Sequence, residues 1–230
     1  MRAHWVSSLE IEDQYTLKGD ELHHLVNVVR IEKEEPLLLL NGQGLIIETR
    51  VEMISKREMI LKKTGQRRGV RHFEFDLALG MPKREALELC LKEATELGFR
   101  RVYLIKSDFS QMRFPDKERT EKLLISALEQ SNAPFLPEVF FTEWSEIPLN
   151  RYKRVLLLDS QTKDIQSQGD IRDGSEELLI VGPEGGFSAL EIQLLHSQAN
   201  IKIVNLPTPI LRSPTAVATG AGIMMESLLK

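Results

Sequence analysis

The alternation of apolar and polar positions changes character near residue 70. Before that point, short apolar runs are separated by turn residues such as Asn41-Gly42, which is typical of consecutive strands. The runs lie at 36–40, 45–51 and 59–61. After residue 70, apolar strand-like segments alternate with segments of helical periodicity. The pattern therefore predicts a small β-barrel in residues 1–70 and an α/β domain in residues 71–230.

Strand and helix patterns alternate through the second part of the chain. The predicted strands lie at 75–79, 102–105, 155–159, 178–181 and 201–206, and the predicted helices at 83–97 and 118–130. This alternation indicates a mostly parallel sheet with helices on both faces. Cys90, the only cysteine, lies on the apolar side of a predicted helix, so we expect it to pack in the core.

A turn rich in glycine follows the predicted strand at 178–181. Gly185 and Gly186 permit backbone conformations and close approaches that other residues do not. Ser188 and Glu191, three positions apart, match a capping box, so a helix should begin at or just after Ser188. Such a loop exposes backbone N–H groups to a ligand, but most glycine loops only turn the chain. Taken alone, the motif leaves both alternatives open.

A second loop of this kind lies near the C-terminus. Residues 206–211 follow a predicted strand, and Ser213 and Pro214 match an N-cap followed by a proline at the first helical position. The predicted helix that follows is rich in Ala and Gly, so its backbone must pack closely against another element. Two such loops in one domain favour a ligand cleft.

Six motifs occur in order along nearly the whole chain. They are His23-His24-Leu25 with Val28-Val29-Arg30, KEATELG at 92–98, Glu129-Gln130-Ser131, Leu136-Pro137-Glu138, GPEGGFS at 182–188 and LPTPILR at 206–212. In this combination they resemble the RsmE family of SPOUT-class RNA methyltransferases, which methylate N3 of one uridine of the small-subunit ribosomal RNA. The extent of the resemblance makes a chance match improbable.

The resemblance implies both a fold and an activity. The fold class is α/β, with a C-terminal SPOUT-type parallel sheet that carries a deep trefoil knot, a rare exception to unknotted topology, and with a PUA-like, RNA-binding β-barrel in residues 1–70. The activity is N3-methylation of one uridine of 16S rRNA, at position 1498 in the usual rRNA numbering, with S-adenosylmethionine as cofactor. The implied partners are the small ribosomal subunit and a second copy of the chain in a homodimer.

The two loops and the resemblance together imply the residues of the site. The candidate cofactor-binding residues are Leu157, Leu158, Val181, Gly182, Pro183, Glu184, Gly185, Leu206, Ile210 and Leu211. Backbone groups of the loops would contact adenine and ribose, and the larger apolar side chains would form walls. Arg212 is the candidate catalytic residue, because it is placed to stabilise the anion formed when the uridine N3–H loses its proton, or to hold an RNA phosphate.

Basic residues in both predicted domains are candidates for contacts with RNA. They are His24, Arg30, Arg67, Arg68, Arg71 and Arg113. The formal net charge of −4 excludes a uniformly basic surface but allows a localised basic strip that binds phosphates. Each arginine taken alone is also compatible with a solvated surface position, and His24 with packing between the domains.

Other classes of protein lack support in the sequence. No segment approaches the roughly 20 apolar residues of a membrane helix, and the N-terminus lacks the apolar core of a signal peptide, so we expect a cytoplasmic protein. The five histidines and the single cysteine are not spaced as metal ligands, and no metal is expected. The dinucleotide, P-loop and nucleophile-elbow motifs are absent.

Three positions depart from the RsmE pattern. Phe109 stands where the family usually has arginine in a serine-containing loop, Ala133 where EQxGR has arginine, and Pro214 where glutamate follows the ILR motif. Arg113 is a candidate replacement for one of the lost charges. The cofactor side of the pattern is intact, whereas the polar residues that the family has at these three positions belong to its RNA side. Two alternatives therefore stay open: a non-catalytic RNA-binding relative, and a SPOUT methyltransferase with a changed RNA target.

Overall fold

The computed structural model describes residues 1–110, 113–159, 176–197 and 201–226. The chain forms two compact units. The first contains Met1–Val70 and Ile125–Leu136, and the second contains Arg71–Leu124 and Pro137–Lys230. The pattern change near residue 70 therefore lies at the unit boundary. Residues 125–136 differ from the prediction, since they pack with the first unit and not with the second.

A five-stranded sheet forms the first unit. Its strands are β1 (Arg2–Trp5), β2 (Gln14–Lys18), β3 (Pro36–Leu40), β4 (Leu45–Ile54) and β5 (Glu58–Arg68), in the order β1-β3-β4-β5-β2. β1 is parallel to β3, and the other neighbours are antiparallel. Leu37, Ile47 and Leu61 are fully buried in its core. The predicted β-rich unit is therefore confirmed, although the short strands β1 and β2 were not predicted.

A distorted helical segment connects β2 to β3. The helix α1 (Gly19–His23) continues into one π-helical stretch at His24–Val28, in which the N–H of Val29 donates to the carbonyl of His24 at 3.0 Å. Leu25 points into the core, whereas His24 is exposed. Arg30 then adopts a left-handed φ of 55°, a conformation that ends a helix.

A six-stranded parallel sheet forms the second unit, which confirms the predicted α/β class. Its strands are β6 (Phe75–Gly80), β7 (Arg101–Ile105), β8 (Glu138–Thr142), β9 (Arg154–Leu158), β10 (Glu177–Val181) and β11 (Ile201–Val204). The order is β11-β9-β10-β6-β7-β8, and every neighbouring pair is parallel. β8, a partly exposed edge strand with apolar residues at 139–141, was not predicted.

Helices lie on both faces of this sheet. The helices after residue 70 are α2 (Arg84–Glu96), α3 (Lys117–Ser131), whose residues from Ile125 onward group with the first unit, α4 (Ala189–His196) and α5 (Ser213–Glu226). Leu195 of α4 packs with Leu178 of β10. α5 approaches the other face, where a Cβ on Gly220 would lie 2.6 Å from the side chain of Leu179. The small residues of α5 therefore allow it to pack closely on its own sheet.

Three predictions about this unit have different outcomes. Cys90 is fully buried, and burial raises the pKa of its thiol, so its predicted core position is confirmed. The path of the predicted trefoil knot includes residues 160–175 and 198–200, which lie outside the described residues, and the knot stays a prediction. Among the helices that the structure describes, none is long and apolar enough to cross a membrane.

Candidate active site

The carboxyl ends of β9, β10 and β11 meet at one edge of the parallel sheet and border a cavity of about 180 Å³. Open parallel sheets bind ligands outside the carboxyl ends of their strands. Two loops, one after β10 and one after β11, complete the wall of this cavity. The lining residues are Leu158, Asp159, Val181, Gly182, Pro183, Glu184, Gly185, Gly186, Phe187, Val204, Asn205, Leu206, Thr208, Pro209, Ile210, Leu211, Ser213 and Ala216.

Glycines shape the loop after β10. Gly186 has a φ of +71°, which favours glycine, and its N–H donates to the carbonyl of Pro183 at 2.9 Å to close a tight turn. Beneath this turn, Gly80 at the end of β6 leaves room for the loop, because a Cβ there would lie 2.7 Å from Cδ of Pro183. The loop can therefore lie directly on the end of the sheet.

A hydrogen bond joins the two loops. The Ser213 hydroxyl donates to the carbonyl of Gly182 at 3.1 Å. Ser213 was predicted as the N-cap of the last helix, but α5 already begins at Ser213, and the carbonyl of Arg212 accepts the first helical hydrogen bond, from the N–H of Ala216 at 2.9 Å. The serine side chain is thus free to fix the distance between the loops, and the cap prediction was wrong by one residue.

Glu191 holds a third loop against the site. The predicted capping box is present, with the N–H of Ser188 donating to Oε2 of Glu191 at 2.8 Å. Oε1 of Glu191 accepts from the N–H of Asp108 at 3.2 Å and from Nε1 of Trp144 at 2.9 Å. The Ser188 hydroxyl also donates to Asp108 at 2.5 Å. The helix cap therefore connects α4 to the loop after β7, a role that its sequence signature does not predict.

All but one of the predicted cofactor-binding residues line the cavity. They are Leu158, Val181, Gly182, Pro183, Glu184, Gly185, Leu206, Ile210 and Leu211. Leu157 instead lies in the sheet core, since consecutive residues of a strand face opposite sides. The sequence analysis missed Asp159 and Asn205, the polar residues that directly follow β9 and β11. Their position directly after a predicted parallel strand was the signal in the sequence that could have identified them.

The carboxylate of Glu184 is bound within the protein. Its two oxygens accept hydrogen bonds from the N–H of Lys83 at 3.1 and 3.2 Å. Lys83 is the N-cap residue of α2, where the helix dipole also favours a negative charge. Glu184 therefore connects the loop after β10 to α2.

Arg212 lies between two fixed positions. Leu211 before it lines the cavity, and Ser213 after it is bonded to Gly182. The side chain of Arg212 is exposed and has no hydrogen-bond or ion-pair partner among the described residues. Its backbone is therefore held at the site while its guanidinium stays available to a substrate.

The predicted RNA-binding residues of the first unit are all exposed, but they do not form one strip. His24 and Arg30 lie at the π-helical segment. Arg67 and Arg68 end β5, and as consecutive strand residues they point to opposite faces. Arg67 also forms an ion pair with Glu48 at 3.2 Å.

The two predicted RNA-binding residues of the second unit differ in exposure. Arg113 is exposed beside Phe114. Arg71 is partly buried, and desolvation lowers the pKa of its guanidinium, although Glu74 opposes that effect. This environment makes Arg71 a weaker candidate for contacts with phosphate than the sequence suggested. Over the residues that the structure describes, no cluster of three or more acidic, histidine or cysteine side chains could hold a metal ion.

This fold and this cavity define an α/β domain that takes a small ligand at the carboxyl edge of its sheet and carries an additional β-rich unit. The chain belongs to the RNA methyltransferase domain family, whose model matches residues 71–225. A model of the RNA methyltransferase PUA domain matches residues 17–64. The resemblance to the RsmE family drawn from the motifs is thereby confirmed.

Curated relatives match most of the chain. Ribosomal RNA small subunit methyltransferase E of Bacillus subtilis (strain 168) is 26% identical over 227 residues, which cover 90% of this chain and 88% of the relative. The protein of the same name from Rickettsia conorii is 27% identical over 203 residues, covering 86% and 83%. Among solved structures, ribosomal RNA small subunit methyltransferase E from Neisseria gonorrhoeae bound to S-adenosyl methionine has the same fold. Its TM-score is 0.83, at 23% identity over 98% of this chain and 97% of that one.

The cavity suits S-adenosylmethionine by its own chemistry. Leu158, Leu206 and Leu211 give apolar walls for an adenine ring. Asp159, an acidic residue whose negative charge suits a cationic sulfonium ligand, is among the lining residues. Gly182 leaves room in the cavity, since a Cβ there would lie 3.3 Å from the ring of Phe187. These residues would hold the cofactor without a metal.

We expect Gly185→Val to weaken the binding of S-adenosylmethionine about tenfold. A Cβ on Gly185 would lie 3.0 Å from Cβ of Phe109, so a branched side chain must displace the loop that lines the cavity. Isothermal titration calorimetry measures the effect, and Gly185→Ala should show a smaller loss. Equal affinity of a folded Gly185→Val variant and the wild type would contradict the assignment of this loop to the cofactor.

Proposed function

We propose that this protein transfers a methyl group from S-adenosylmethionine to N3 of one uridine of 16S rRNA in the small ribosomal subunit, in the cytoplasm. The observation that carries the proposal is the cavity at the ends of β9, β10 and β11, whose two loops are joined through Ser213 and Gly182, in a chain of the RNA methyltransferase family. The names of the curated relatives and the match to a PUA domain support ribosomal RNA as the substrate.

The residues around the cavity have two tasks in this reaction. When bound, S-adenosylmethionine supplies a methyl group that is already activated on a cationic sulfur. The two loops hold the cofactor and exclude water, so that N3 of the base needs only to be placed about 3 Å away, in line with the transfer. Because the uridine N3–H is a weak acid, the second task is to favour the anion that remains when the proton passes to solvent. The anion takes the methyl group, and S-adenosylhomocysteine leaves. The guanidinium of Arg212 supplies the positive charge for the pyrimidine carbonyl oxygens.

Primer extension on ribosomal RNA tests the proposal. N3-methyluridine cannot pair, so reverse transcriptase stops at the modified base. We expect one stop in wild-type cells, loss of that stop after deletion of the gene, and its return with the wild-type gene on a plasmid. Purified protein should also label small subunits from the deletion strain with the methyl group of S-adenosylmethionine. A stop that persists in the deletion strain would exclude this target.

A changed target is the second candidate function, and the departures from the family favour it. Pro214 is buried in the first turn of α5 and offers no polar group, and Phe109 is exposed where a charged residue is usual. Labelling of total RNA from the deletion strain would distinguish the candidates. A methylated RNA other than 16S would establish a new target, whereas cofactor binding without labelling of any RNA would indicate a non-catalytic relative.

We also propose that the protein is a homodimer joined through the outer face of α5. No charged residue occurs from Ser213 to Met225, although Thr215, Ala218 and Gly222 are exposed. A Cβ on Gly222 would meet no atom within 4 Å, so the backbone is open to close approach. An uncharged face with accessible backbone suits a symmetric contact with a second copy.

The substitution Ala218→Glu should dissociate this dimer, because it places two like charges at the contact. Light scattering at micromolar concentration should give a mass near twice 26.3 kDa for the wild type and near 26.3 kDa for the variant. Ile11→Glu, at an exposed apolar position of the first unit, is the matched control and should stay dimeric. A monomeric wild type would refute the dimer, and a monomeric Ala218→Glu with full activity would show that one chain builds the site.

A further inference from the structure

Phe109 is an exposed aromatic residue beside the cavity. It lies in the loop after β7 and is 51% exposed. Its Cβ would be 3.0 Å from a Cβ on Gly185, so Phe109 packs against the backbone of a residue that lines the cavity. This contact fixes the place of Phe109 at the edge of the site but leaves about half of the residue in water.

The loop that carries Phe109 is held on both sides by hydrogen bonds. The N–H of Ser110 donates to the carbonyl of Ser107 at 3.0 Å, and the N–H of Ser107 donates to the hydroxyl of Ser110 at 3.1 Å. Asp108 is bonded to Glu191 and Ser188 at the start of α4. Because the backbone is already ordered, a ligand that binds the ring pays little additional conformational entropy.

The cavity carries a second exposed apolar residue. Ile210 lines the cavity from the loop after β11 and is 83% exposed. The next charged side chain along this loop is Arg212. Apolar surface with a nearby cation suits a flat ring that has polar atoms at its edge, which is the shape of a pyrimidine base.

A base that is methylated at N3 must be unpaired, because N3 is otherwise engaged in pairing, and enzymes that modify a base take it out of its stack or use a single-stranded substrate. The base then loses the stacking energy of its neighbours. An aromatic side chain restores part of that energy, and stacking on one base is worth enough to change affinity roughly 5- to 100-fold.

We propose that Phe109 stacks on the pyrimidine ring that receives the methyl group and so positions its N3 toward the cavity. The proposal rests on the proposed function, since it requires that the substrate be a base in RNA. Phe109 contacts the face of the base and reads no hydrogen-bonding edge. It therefore contributes to substrate binding and orientation, while the groups on the two cavity loops determine which base is accepted.

Four variants of the full chain test the proposal, with small ribosomal subunits from the deletion strain as substrate. Phe109→Leu keeps an apolar side chain but removes the aromatic face, and we expect kcat/KM for the subunits to fall roughly 5- to 100-fold. Phe109→Tyr and Phe109→Trp should recover most of that loss. Phe140→Leu, at another partly exposed phenylalanine outside the site, is the matched control. Affinity for S-adenosylmethionine should stay within about twofold in all four.

The outcomes separate this proposal from its alternatives. Full activity of Phe109→Leu would overturn it. Equal losses in the leucine, tyrosine and tryptophan variants, or a parallel loss of cofactor affinity in Phe109→Leu, would show a packing role against Gly185 and would also overturn it.

Fluorescence gives a reading that does not depend on catalysis. The additional tryptophan of Phe109→Trp should be quenched by a short uridine-containing RNA more strongly than the fluorescence of the wild type. If the wild type transfers no methyl group, the proposed function fails, and the quenching alone decides the stacking role. Absence of additional quenching would then refute it.

Discussion

Replacing Arg212 by alanine is expected to lower the rate of methyl transfer about 10²- to 10³-fold while the affinity for S-adenosylmethionine stays within about twofold. The reason is the position of the side chain. Its backbone is fixed between the cavity residue Leu211 and the bonded Ser213, yet the guanidinium has no partner among the described residues. The group is therefore available for charge that develops on the substrate. Single-turnover assays and calorimetry measure the two quantities separately.

Two control variants test whether the loss of rate is specific to Arg212. Arg212→Lys keeps the positive charge but loses the planar pair of donors, so we expect an intermediate rate. Lys153→Ala removes an exposed cation that directly precedes β9, at the opposite end of that strand from the cavity, and it should have little effect. Equal losses of rate and cofactor affinity in Arg212→Ala would place the arginine in the cofactor pocket instead.

Replacing Arg100 by methionine is expected to destabilise the protein by about 3 kcal/mol, the lower end of the range for breaking a buried ion pair. Arg100 donates to the two oxygens of Asp76 at 3.0 and 2.9 Å and to Glu176 at 2.8 Å, and it also pairs with Glu74. Asp76 is 0% exposed. Its charge would lose its main partner, although the hydroxyl of Tyr152 would still donate to it at 2.8 Å and Arg101 would remain 3.5 Å away.

Urea unfolding at two pH values tests this expectation. Arg100 first and then Arg151 lower the pKa of Glu176 from 4.5 to about 2. Because the folded-state pKa is depressed, this contribution to stability is present above about pH 4.5 and is lost as the pH falls toward 2. The difference between wild type and variant should therefore shrink in acid. Arg84→Met, which breaks the exposed pair with Glu88, should change the midpoint little, and an equal effect of both substitutions would refute the special role of Arg100.

The sequence predicted most of the second unit because its elements carry strong local signals. The strands around Leu79, Leu157 and Ile180 are continuous apolar runs, and the helix before Gly98 has one apolar face. Both patterns follow from burial within a parallel sheet. The edge strand β8 was missed although residues 139–141 are apolar, and neither β1 nor residues 125–136 could be assigned from local pattern, since their positions depend on partners far along the chain.

The candidate site was predictable at the backbone level and less so at the level of side chains. Glycines identified the loop after β10, and the Ser213-Pro214 helix start after a predicted strand identified the loop at 206–211. The roles of Glu184 and Ser213 differed from expectation, because their hydrogen bonds go to Lys83 and Gly182, which are remote in sequence. Phe109 was noticed only as a departure from a family pattern. Its contact with Gly185 required the folded structure.

The strand order β11-β9-β10 also determines when the cavity can first exist during synthesis. β9 pairs with β11 on its outer side, and β11 is translated after both β9 and β10. Until then β9 is a sheet edge with unpaired backbone groups, exposed to pairing with other chains. A nascent protein therefore cannot retain cofactor until β11 and the loop after it have been translated. Termination between β10 and β11 yields an aggregation-prone fragment and not a partly active enzyme.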